Sequence, residues 1–119
     1  MLVNTGRSRR RRAEGAGIIA GGMAGLDAGC IPWLRERDVA VLGSDGISDG
    51  LGGATVTGWA MPIHQCVIAA MGVHLIDNVD LLGLADACAD EARWSFLLTV
   101  APLRLLGGTG CVVNPVAVF

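Results

Sequence analysis

An imidazole and a carboxylate thirteen residues apart are where this chain could do chemistry. His64 lies just behind Pro62 in the stretch MPIHQCVIAAMGVHLIDNV (residues 61–79), and Asp77 follows the next hydrophobic run. A third acid, Asp45, stands just past the apolar run VAVLG (residues 39–43). An imidazole beside a carboxylate can move a proton, or the two can share a metal ion. In the first turn of a helix the positive end of the dipole disfavours a protonated ring, and a neutral His64 could ligate a metal or accept a proton. Each residue also has a plain structural reading: a satisfied histidine near a helix start, and a turn or cap acid.

The elements that must position these groups alternate. MLVNTG reads as the end of a strand, and RSRRRRAEGAGIIAGGMAG as a polar and then glycine-rich loop. GCIPWLRERD reads as a short helix with Pro32 in its first turn, and residues 39–43 as a buried strand. SDGISDGLGGATVTGW is a long loop, of a kind often tied to function. Pro62 starts a helix to about residue 71 that Gly72 stops, and VHLI (73–76) is a short strand. Asp80 caps a further helix whose stripe is Leu81, Leu84, Ala85 and Cys88. WSFLLTVA is a strand, and VVNPVAVF closes the chain at an edge or bulge. The alternation predicts an α/β fold with a helix-covered sheet. If the strands are parallel, His64, Asp77 and Asp45 gather at the carboxyl edge, where open α/β sheets bind ligands.

Other chemistries have weaker support. His74 reads as a partly exposed strand residue. The glycine turn around Thr109 lacks the Lys-Ser/Thr ending of a phosphate loop. No Gly-x-Ser-x-Gly elbow is present. Cys66 is two residues from His64, and on a helix such positions do not face each other. The four cysteines form no C-x-x-C pair, so they read as free thiols in a reducing compartment. Trp33 and Trp94 read as core or interface residues, whereas Trp59, on the loop beside His64, is placed to line a pocket for a flat substrate.

Composition narrows the classes. The chain has 119 residues, 52% of them hydrophobic, with a mean hydropathy of +0.54. That is apolar for one small domain, and it suggests docking or membership of a larger unit. All nine basic residues are arginine, five of them within residues 7–12; from residue 13 on, four arginines face eleven acids. The acidic body argues against nucleic acid as a partner, and the arginine run reads as a solvated loop before it reads as a phosphate or nucleic acid contact. No uninterrupted apolar run is long enough for a membrane span. Glu14 and the glycines spoil the likeness of the first thirty residues to an export signal, so a cytoplasmic location is expected.

Three stretches, GLDAGCIPWLRERDVAVLGSD, PIHQCVIAAMGVHLIDNVDL and RWSFLLTVAPLRLLGGTGCVVNPVAVF, together resemble the C-terminal half of the cyclase family of metal-dependent hydrolases, which includes bacterial kynurenine formamidases and isatin hydrolases. LVNTG resembles the family's strand ending in Arg-Thr-Gly, with Asn4 in place of the arginine. The resemblance implies a swivelling β/β/α domain, truncated here by loss of its N-terminal portion, with residues 1–24 a strand end plus an Arg/Gly-rich loop and 25–119 the C-terminal part. It implies a zinc or manganese cofactor activating water against a small-molecule amide, of aryl formamide or cyclic amide type as in tryptophan catabolism. It also implies assembly as a homo-oligomer or with a missing N-terminal half. By position His64 matches the family's second-half histidine, and Asp77 falls where the formamidases carry a glutamate. The family's His-x-Gly-Thr-His-x-Asp-x-Pro-x-x-His motif is absent, so His64 and Asp77 form an incomplete metal site beside Trp59, and metal binding by this chain alone is expected to be weak. The alternative is a non-catalytic remnant or interaction subunit that pairs through an exposed sheet edge.

Overall fold

The computed structural model describes residues 1–15, 21–52 and 56–119. They divide into two compact units, Met1–Gly83 and Leu84–Phe119.

The first unit is built on a parallel sheet of order β1-β2-β3, comprising β1 (Leu2–Val3), β2 (Val41–Ser44) and β3 (His74–Ile76). Leu2 pairs with Gly43, and Leu42 with Leu75. The central strand is the apolar run expected as a buried strand, and Leu42 on it is fully buried. A Cβ at Gly43 would meet the Leu2 side chain at 2.4 Å, so glycine gives the edge strand's leucine room over the centre. Helix α2 (Cys30–Glu36) and the π-helix His64–Ala70 cover the sheet. Leu34, Leu42, Ile63, Val67 and Val73 form the core, with Leu26, Ile31, Val39 and Met71 packed against it. The π-helix ends where Gly72 takes φ +68°, the stop expected from its freedom at positive φ.

The arginine run departs from its expected loop form. Arg7–Glu14 make a helix, α1. Arginine is a good helix former, and α1's exposed amides find a remote partner in Asp45. That buried carboxylate accepts the Ser8 amide at 3.1 Å, and the Thr5 amide and hydroxyl at 2.7 and 2.6 Å. An acid supplied by the strand-β2 edge thus satisfies the amino end of α1 and ties it to the sheet. Arg10 pairs with Glu14 at 2.8 Å and Arg12 with Asp80 at 2.6 Å.

In the second unit, β4 (Leu97–Thr99) pairs antiparallel with β5 (Val116–Val118). Phe96 and Phe119 stack with ring centroids 5.4 Å apart. Helix α3 (Leu82–Asp90) carries the buried Cys88, and Asp80 accepts the Leu82 amide at its start. Trp94, Leu103, Leu105, Leu106 and Val112 are all exposed, as is Trp33 in the first unit, where the Arg37 guanidinium lies 4.0 Å from its ring centroid.

Burial opposes ionisation of Asp45, yet the hydrogen bonds from Thr5 and Ser8 outweigh it and hold its carboxyl below the usual range. Asp45→Asn replaces one acceptor oxygen by a donor facing these donors. It is expected to destabilise the protein by about 1–3 kcal/mol in urea denaturation at neutral pH. The loss should shrink as the pH falls through the folded pKa of Asp45, because protonation removes the wild type's advantage.

Candidate functional site

Three loops converge at the carboxyl ends of the parallel strands. The stretch after β2 carries Ser48 and Asp49, the residue after β3 is Asp77, and the π-helix begins there with His64. Both His64 ring nitrogens face carboxylates: Nδ1 lies 2.5 Å from Asp49 Oδ2, and Nε2 lies 2.8 Å from Asp77 Oδ2. Asp49 is 1% exposed, while the His64 and Asp77 side chains are 22% and 25% exposed. Solvent therefore reaches the pair His64–Asp77, and Asp49 stands behind it.

Each carboxylate is held in turn. Asp49 accepts the Ile63 amide at 2.8 Å and the His64 amide at 3.1 Å, which places it at the amino end of the helix. Asp77 accepts the Ser48 hydroxyl at 2.8 Å. Ser48 and Asn78 both adopt left-handed backbone, with φ +61° and +57°. The fold pins them: Ser48 accepts the Leu26 amide, and Asn78 donates to the Gly46 carbonyl. Such conformations beside a polar cluster are a common mark of function. Gly25 lies so close that a Cβ there would sit 2.2 Å from the Asp49 carbonyl carbon, so the segment carrying Asp49 rests on bare backbone.

Burial works against a charged His64, but hydrogen bonds to Asp49 and Asp77 and their negative charge outweigh it and raise the pKa above 6.5. The two carboxylates thus act against the helix dipole, which favours the neutral ring. A neutral imidazole has one donor, whereas this arrangement places an acceptor at each nitrogen, which suits the imidazolium.

The structure brings His64 and Asp77 together, as the parallel-edge reading requires, but turns Asp45 away to β1 and α1. Asp49, which no motif or periodicity marks, takes the second nitrogen; its one signal is an acid in a long loop ahead of the histidine helix. Trp59 is 46% exposed on the segment leading to His64. His74 is exposed on its strand, as expected. Among the described residues no group of three His, Cys, Asp or Glu side chains could hold a metal ion. His64 and Asp77 offer two donors at most, so these residues alone do not fit a complete zinc centre, which takes three protein ligands.

Among solved structures the chain is similar to a crystal structure described as that of a novel cyclase, with a TM-score of 0.72 and 27% sequence identity over 82% of this chain and 31% of that one. The chain thus spans about a third of that protein's length. No protein-family model matches the chain, and no curated protein does. The fold is cyclase-like and α/β. No helix among the described residues is long and apolar enough to cross a membrane.

Because the folded His64 binds its proton more tightly than the unfolded chain, its stabilising contribution is complete below about pH 6.5 and fades as the pH rises through the folded value. Unfolding free energies of the wild type should therefore fall across that window. His64→Gln should lack this decline; an equal decline in the variant would assign it to other groups.

Proposed function

We propose that this chain carries the proton-handling part of a cyclase-type hydrolase acting on an amide bond of a small molecule, with aryl formamides or cyclic amides as the substrate class. The single observation that supports this reading is the imidazole bridged between a buried and a half-buried carboxylate at the sheet's carboxyl edge. Cleaving an amide requires a proton for the departing nitrogen and removal of one from the attacking water. The His64 imidazolium is the donor, Asp77 beside it is the acceptor, and Asp49 orients the ring through Nδ1, as the acid of a catalytic triad does. Trp59 supplies an apolar wall for the substrate.

A zinc or manganese ion of the kind the family resemblance implies would polarise the carbonyl and activate water. From these residues it would take His64 and Asp77 at most. Its further ligands would come from outside the described residues, by way of a homo-oligomer or a polypeptide matching the rest of the cyclase neighbour. The purified chain alone, supplied with manganese or zinc, is expected to hydrolyse an aryl formamide slowly, and His64→Gln to lower that rate by a further hundredfold or so. Turnover unchanged by His64→Gln would remove the histidine from the reaction.

A second reading, an interaction subunit without catalysis, is favoured by the exposed leucines of the second unit. Lone two-stranded hairpins are marginal in water, and large exposed apolar surface marks interaction sites. Light-scattering mass in solution is expected to exceed that of one chain. A stable monomer would count against this reading.

A further inference from the structure

The arginines of α1 are not used by the histidine site, although α1 starts at the same strand edge. Arg7, Arg10 and Arg11 recur at i, i+3 and i+4 and so share one helix face. Together with Gly6, Gly22 and Met23 they line a cavity of about 100 Å³. That is room for a group the size of a few waters, at roughly 30 Å³ each. Nε of Arg7 is buried and has no hydrogen-bond partner among the described residues, and the Arg7 Nη1 meets the Met23 sulfur, a weak acceptor. Arg10 is braced by Glu14 at 2.8 Å and by the Gly22 carbonyl at 3.4 Å. The facing wall is fixed too. Met23 and Leu51 exchange both backbone hydrogen bonds, at 2.8 and 2.9 Å, and a Cβ on Gly22 would meet the Leu51 oxygen at 2.5 Å.

Guanidinium groups gathered around one small cavity favour an anion within it. Among the described residues, three guanidinium groups line the cavity and Glu14 pairs with Arg10, which leaves a positive balance there. The planar fork of arginine matches the oxygens of carboxylates and phosphates. The volume is too small for a nucleic acid strand, and the acidic body repels one. We propose that this cavity binds a small oxyanion, a carboxylate or phosphate group, through Arg7, Arg10 and Arg11.

Titration calorimetry of the full chain at low ionic strength, with inorganic phosphate and separately with acetate, tests this. Saturable binding of one anion per chain is expected, weakening as sodium chloride rises. The anion that binds more tightly tells which chemistry the cavity prefers. Arg11→Gln, at an exposed position whose loss should leave the fold intact by circular dichroism, is expected to weaken binding about tenfold, and Arg7→Gln at least as much. Arg9→Gln removes the same charge from the same helix outside the cavity and should change affinity less than threefold. Absence of saturable binding to either anion, or equal weakening by Arg9→Gln and Arg11→Gln, would overturn the proposal.

Discussion

The arrangement at the strand edge depends on one constraint, a histidine ring held between two acids. An imidazole with a carboxylate at each nitrogen has its orientation fixed, and its charged form is favoured. Asp49 can take this part only because the backbone amides of Ile63 and His64 neutralise its burial. The same amides are the unpaired donors at the start of the helix that carries His64. One carboxylate therefore caps a helix and aims its first functional side chain, so the start of the helix and the position of the ring cannot vary independently.

Asp45 solves a similar problem on the neighbouring strand connection. It too is a buried acid just past a strand that receives amide donors from the start of a helix. The two differ in the side chains they meet there. At α1 the carboxylate binds Thr5 and Ser8 and its work is architectural, whereas at the π-helix the first side chain is an imidazole. Two acids four residues apart in one loop thus organise two helices at a single edge, and only one of them meets a titratable group.

Much of this was legible in the sequence. VAVLG as a buried strand, Gly72 as a stop, and the pairing of His64 with Asp77 all stem from the run of apolar residues between punctuating glycines and acids, because burial and positive φ leave residue-specific marks. Asp49 and Asp45 could not be told apart in this way. Both sit in a loop of glycine, serine and aspartate with no periodicity, and their roles are decided by which amides lie within about 3 Å in space. The helical state of Arg7–Glu14 was hidden for the same reason: the cap that supports it comes from 37 residues away. The dipole argument for His64 counted one local field and missed two nearby carboxylates. Full charges at hydrogen-bonding distance outweigh a helix end of about half a charge.

That outcome bears on the hydrolase reading. A ring that ligates a metal must offer a lone pair, so metal binding and proton retention compete for the same Nε2. With a folded pKa raised by two acceptors, the competition is tilted toward the proton. The neighbourhood as it stands is an imidazole hydrogen-bonded to two carboxylates, one of them buried. A metal-ligating role for His64 would displace the Asp77 hydrogen bond at Nε2, while Asp49 could keep its place behind the ring in either state.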